Sequence, residues 1–221
     1  AASKDEMEKM IFDELDEIVP IPVGNFTGLE PIEHDKLSMV RDDAALEIIT
    51  DACFQYLKQQ VLSGVNALQI FDSWADLLNP NDLETYSLEY TRKLARKLKQ
   101  DVVTSNTPLI LFEKAPQKKI SDILFEDLSC ISLHWSESIE RVSENLKGQF
   151  AIQGNLNPSF LLESDEIIQA ETKKICGAMK NFPGFIFNLG HGISQFTAPE
   201  QVHFLIDTIQ TESKKLRTQN V

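Results

Sequence analysis

Phe185-Ile186-Phe187-Asn188-Leu189-Gly190-His191-Gly192-Ile193 is the stretch on which the fold turns. An apolar run stops at a glycine, a histidine and another glycine, and a helical pattern begins at Pro199. A buried strand that delivers a polar side chain to the carboxyl end of a sheet has this form. Glycines there let the backbone turn sharply and leave an imidazole room to meet a ligand. His191 is then either a filler of its own turn or a functional group, and the rest of the chain must decide.

Working outward, apolar runs at 67–71, 109–112, 130–133 and 150–153 repeat the pattern, each followed by helical periodicity. An amphipathic helix is expected over 42–62, capped by Asp42, with Ala45, Ile49, Ala52, Cys53, Tyr56 and Leu57 on its inward face. Asn79-Pro80 opens a helix that reaches about residue 99 and turns basic towards its end, as the helix dipole favours. Residues 120–125, 137–147 and 166–179 fit further helices. In the amino-terminal part, 4–17 has helical spacing, and 19–23 reads as an edge strand because its two prolines cannot donate to a ladder.

Strands alternating with helices imply a parallel sheet with helical crossovers. Polar and glycine residues recur just past the strand ends: Asp72-Ser73, Lys114, His134, Gln153-Gly154-Asn155 and Asn188 to His191. In a βα barrel that end holds the active site. A doubly wound sheet is the rival, but no Gly-x-Gly-x-x-Gly turn supports a dinucleotide site.

Composition narrows the function classes. A hydrophobic fraction of 42% and a charged fraction of 25% are those of a globular protein with a real core. The net charge of −13 argues against nucleic acid or an anionic membrane surface as partner, and no apolar run is long enough to span a bilayer. Cys53, Cys130 and Cys176 are widely separated in apolar patterns, so buried thiols in a reducing compartment are expected, with no metal site. The start at Ala1 without Met suggests processing or trimming, and no signal sequence remains to name the compartment, so a plastid (after removal of a transit peptide) and the cytoplasm both stay open.

Three motifs in register suggest a family. Gln69-Ile70-Phe71-Asp72-Ser73-Trp74-Ala75, Gln153-Gly154-Asn155-Leu156-Asn157-Pro158 and Asn188-Leu189-Gly190-His191-Gly192-Ile193 together resemble uroporphyrinogen decarboxylase. Residues 111–114 and 132–135 fit the intermediate strands less closely. The resemblance implies a TIM-like βα barrel and usually a homodimer, and it implies decarboxylation of uroporphyrinogen's acetate arms to coproporphyrinogen without metal or organic cofactor. Ser73 and His191 match the family's substrate-contacting positions, with Phe71, Asp72, Gln153, Gly154, Asn155, Gly190 and Gly192 supporting the pocket. A hydroxyl donor and a titratable imidazole suit an anionic arm.

The departures shape the expectation. About six strands are found, matching the last six of the family's eight. The first two strand units, the arginine-rich motif, the aspartate that gathers pyrrole N–H groups and a substrate-contacting tyrosine have no counterpart. The expected organisation is a divergent segment over 1–41 with one edge strand, then a partial barrel over 42–221. An incomplete barrel leaves two sheet edges open, to be covered by a protein partner, a second subunit or the amino-terminal segment. Two functions stay open: a decarboxylase, or a non-catalytic interaction subunit of a larger assembly. A corrinoid-linked methyltransferase of similar fold would need a thiol–zinc site that these cysteines do not supply. His134 reads as a satisfied, half-buried histidine, and Trp74 and Phe187 read as core.

Overall fold

The computed structural model describes residues 43–218, apart from Gln117 and Lys147. Five strands, β1 (Leu68–Asp72), β2 (Leu109–Glu113), β3 (Cys130–Ser132), β4 (Ala151–Leu156) and β5 (Phe185–Leu189), form one parallel sheet in the order β1-β2-β3-β4-β5. Sequential order with every neighbour parallel means that each crossover advances in one direction, as in a βα barrel; a doubly wound sheet reverses its order partway. The barrel-like reading therefore stands over its rival. The edge strand expected at 19–23, the helix at 4–17 and the cap at Asp42 lie outside the described residues.

The sheet also curls. Gln153 on β4 donates from Nε2 to Gln69 Oε1 on β1 at 3.2 Å and lies 3.1 Å from Ser132 Oγ on β3. A flat sheet would hold β1 and β4 about 14 Å apart, three spacings of roughly 4.8 Å. Two glutamine side chains meet across that span only if the strands bend towards the face that carries them, as closure into a barrel requires.

The helices are α1 (Asp43–Leu62), α2 (Pro80–Leu83), α3 (Glu89–Gln100), α4 (Ile120–Ile123), α5 (Ile139–Leu146), α6 (Asp165–Ala178) and α7 (Pro199–Thr218). On the sheet face opposite the glutamines, Leu109, Leu111, Ile131, Leu133, Ile152 and Leu156 are inaccessible to solvent, as are Ile123 on α4 and Ile168 on α6. Each such side chain contributes about 1.5–3 kcal/mol on burial. The central strands β2 and β3 are buried on both faces. The end strands are not: Phe71 on β1 is 64% exposed and Ile186 on β5 is 44% exposed.

Two boundaries differ from expectation. β4 runs on to Leu156, so Gly154 and Asn155 belong to the strand and pair with Phe187 and Asn188 rather than closing it. The turn comes at Asn157, whose side chain accepts the Ser159 N–H ahead of a 3₁₀ turn over Pro158–Leu162. The helix opened by Asn79 is divided into α2, a π-helical turn over Glu84–Leu88, and α3. Asn79 does open it, by accepting the N–H groups of Asn81 and Asp82.

Of the described residues, 67–83 and 107–218 form one compact unit, and α1 and α3 belong to a second unit made of 43–66 and 84–106. In that second unit α1 and α3 run in the same direction, tied by Tyr90–Asp43, Lys93–Glu47, Lys97–Asp51 and Lys58–Asp101. This ladder corrects the expected face of α1. Its charged side turns to α3, Thr50 and Leu57 are buried there, and Ile49, Tyr56 and Cys53 are exposed. Burial pushes the Cys130 thiol up to about 12 and, with the Glu212 charge, the Cys176 thiol to about 11. Partial burial also raises the Cys53 pKa, but this residue is exposed and open to reagent. In native protein one thiol is thus expected to react quickly with an aromatic disulfide, and the other two only after denaturation. A Cys53→Ser variant should remove the fast phase; a fast phase that persists would contradict this burial pattern. No helix among the described residues is long and apolar enough to cross a membrane.

Candidate functional site

Strand alternation places the candidate residues. Register aligns Phe71, Phe112, Ser132, Gln153 and Ile186 in one row across the five strands. Two residues further along lie Ser73, Lys114, His134, Asn155 and Asn188, at the carboxyl ends. The aromatic groups form a line across this mouth. Phe71 and Phe112 have ring centres 6.1 Å apart, Phe112 meets His191 edge-on at 6.2 Å, His191 meets His134 edge-on at 5.9 Å, and His134 lies 4.9 Å from Trp135.

His134 is held from two sides. Its Nδ1 lies 2.8 Å from Ser136 Oγ and accepts the Ser136 backbone N–H. The Asn155 amide donates to the carbonyl of His134 at 3.0 Å and to that of Glu137 at 2.8 Å. Both neighbours are carbonyl oxygens, so the atom between them must be the amide nitrogen. Burial lowers the His134 pKa, the charge of Lys114 and the neighbouring His191 lower it further, and Asp76 opposes them. Lys114 pairs with Asp76 at 2.9 Å, and the other Asp76 oxygen is buried without a hydrogen-bond partner among the described residues.

The glycines have unlike roles. A Cβ on Gly190 would lie 2.3 Å from the Trp135 nitrogen and 2.6 Å from its Cα, so the end of β5 passes directly over the backbone following β3. Gly190 also donates its N–H to the Leu156 carbonyl at 2.8 Å. Gly154 has φ +135° and would meet the Leu133 carbonyl at 3.2 Å, so an L side chain is disfavoured by both conformation and space. A Cβ on Gly192 would touch nothing, so its expected part in the pocket has no steric basis here.

Ser73 stands half-buried in the turn after β1, and Asp72 ends that strand, its carbonyl accepting the Lys114 N–H at 3.0 Å. Phe71 and His191 are joined through Phe112, whereas Gln153 lies deeper, in the buried row with Ser132. Asn155 acts through the His134 loop. Trp74 is 68% exposed rather than core, since it follows an end strand, while Phe187 is half-buried beside Phe185. His134 and Lys114 were legible as residues past strand ends, but their meeting with His191 and Asp76 was not.

Comparison with known proteins bears on the family and the fold. The family model for uroporphyrinogen decarboxylase (URO-D) matches residues 41–212. Uroporphyrinogen decarboxylases of Burkholderia thailandensis and Burkholderia mallei are 35% and 34% identical over 173 residues, which is 78% of this chain and 48% of each relative. The chain thus spans about half the length of the curated relatives it matches. A methyltransferase from Methanosarcina mazei shares the fold, with a TM-score of 0.60 at 21% identity over 80% of this chain and 52% of that one. Motif register, sheet order and family model coincide over the same residues, and the chain belongs to the uroporphyrinogen decarboxylase family.

Proposed function

We propose that this chain supplies the carboxyl-terminal strand ends of a tetrapyrrole pocket and takes part in cofactor-free decarboxylation of the acetate arms of uroporphyrinogen to give coproporphyrinogen. The observation that carries the reading is the line Phe71, Phe112, His191, His134 at the mouth of a curled parallel sheet, an apolar wall with titratable groups set into it. Residues 42–221 act as the partial barrel that bears these groups, with 1–41 as a separate segment. Ser73 and His191 hold carboxylates. Protonation of a pyrrole carbon makes the ring an electron sink; the bond to the carboxylate breaks, its electron pair enters the ring, carbon dioxide leaves, the exocyclic carbon takes up a proton to become a methyl group, and the ring carbon gives up the proton it first received. Positioned donors stabilise the charge that moves in this step.

The test is anaerobic incubation of the isolated protein, with any co-purifying subunit, followed by chromatography of the products. Turnover is expected, and His191→Ala should lower it about ten- to a hundredfold, the loss of one hydrogen bond to a charged group. No turnover from folded protein in excess over uroporphyrinogen would overturn the proposal.

A second reading, a non-catalytic interaction subunit, is favoured by one observation. Among the described residues β1 and β5 end the sheet unpaired, with Phe71 and Ile186 exposed. Beside β5, Phe185, Phe187, Cys176, Met179 and Ile209 line an open cavity of about 240 Å³. Such edges and apolar surface call for a cover. On this reading the protein co-purifies with a larger partner and shows no turnover; a stable monomer with a closed barrel would exclude it.

A further inference from the structure

We propose that Lys114, His134 and His191 together form a subsite for one carboxylate arm of an anionic ligand, distinct from the Ser73 hydroxyl at the end of β1. The inference rests on the mouth being a polycarboxylate pocket, and it names the residues that discriminate between arms. Three groups from three strand ends converge: Lys114 follows β2, His134 follows β3, and His191 follows β5. The imidazoles stand edge to face with centres 5.9 Å apart, and Lys114 is close enough for its charge to act on His134.

Each group has donors to spare. An ammonium has three, and the Lys114 side chain uses one, on Asp76. Nδ1 of His134 accepts the Ser136 N–H, so the neutral ring carries its proton on Nε2, which is left to donate. The ring of His191 is exposed. The facing charges are Lys114, His191 and Asp76, with Glu113 and Glu137 lining a small cavity beside His134. Were Lys114 the only cation, Asp76 would cancel it and an arriving carboxylate would be repelled. The imidazole N–H groups add donors without adding negative charge, and a bound carboxylate would favour the charged His134 ring that burial and Lys114 now disfavour, so binding is coupled to proton uptake at His134. The Lys114 ammonium and the imidazole N–H groups thus set donors for an anion into a chain of net charge −13.

The experiment titrates the isolated protein with uroporphyrin, which carries acetate and propionate arms, and with coproporphyrin, which keeps only propionates, by fluorescence quenching. His134→Gln and Lys114→Met are expected to weaken uroporphyrin about tenfold, the loss of one charge-assisted hydrogen bond. Coproporphyrin should change much less, and Lys114→Arg should keep most of the affinity. Because burial and Lys114 hold the His134 pKa below its ordinary value and a bound carboxylate would raise it again, wild-type affinity for uroporphyrin should fall as pH rises from below about 6.5, with a shallower slope in His134→Gln. Unchanged uroporphyrin binding in both variants overturns the subsite while leaving the pocket intact. Equal loss of both porphyrins also overturns it, as a general fault in folding. Wild-type protein that binds neither porphyrin overturns the pocket itself.

Discussion

Replacing Gly190 by alanine should destabilise the sheet unit by about 3 kcal/mol or more, at the upper end of what overpacking a close contact costs. The added methyl would meet the Trp135 backbone at 2.3 and 2.6 Å and its Cβ at 2.7 Å. No side-chain rotation relieves a clash with backbone atoms, so either the end of β5 or the loop after β3 must move. Movement of β5 stretches the 2.8 Å bond from Gly190 N–H to the Leu156 carbonyl and pulls His191 away from His134. At roughly 2–4 °C per kcal/mol for a chain of this length, the midpoint of thermal unfolding should drop by about 6–12 °C. Gly192→Ala is the internal control. Nothing lies within 4 Å of its Cβ position, so its stability should stay within about 0.5 kcal/mol of the parent. Similar effects for the two substitutions would show that the close pass of β5 over Trp135 is not there.

The strands were legible because each is a short apolar run whose neighbours differ sharply in polarity, and 185–189 is read identically in sequence and structure. The family was legible because Ser73, Asn155 and His191 sit in ordered motifs. What sequence alone could not show are relations between residues far apart in the chain. Gly154 and Asn155 have turn chemistry, yet they extend β4, because Asn155 is needed inside the strand to reach carbonyls of the preceding loop. The stripe of α1 with Ile49, Cys53 and Tyr56 had every feature of a buried face. The ion pairs with α3 place the opposite side inward, and no local pattern announces a ladder to residues some 40 positions later. Gly190 read as a residue that lets the backbone turn sharply; the structure adds a second reason, the Trp135 backbone beneath it. His134 read as a satisfied histidine, and its Nδ1 is indeed occupied, but its ring faces a second imidazole brought in by β5.

Asn155→Ala should destabilise the protein by about 2–3 kcal/mol, because it strips the donor from two loop carbonyls with a buried side chain. The consequence for the site is larger than the loss of stability alone implies. The carbonyls of His134 and Glu137 are clipped to one amide, so the curvature of the loop, and with it the angle at which His134 meets His191, depends on that group. Removing it should release His134 while leaving His191, just past the end of β5, where it is. Asn155→Asp separates hydrogen bonding from volume. The carboxylate has the same shape but offers only acceptors to two carbonyl oxygens, so repulsion is added to the missing bonds. Aspartate should therefore be worse than alanine in urea unfolding, an order opposite to the one expected if packing decided the matter. Both variants should also weaken uroporphyrin binding about as much as His134→Gln does, with the same shallower pH slope, since all three act on one imidazole. An aspartate variant as stable as the parent, binding uroporphyrin with the parent's pH dependence, would remove Asn155 from its positioning role and leave the imidazole pair without its tether.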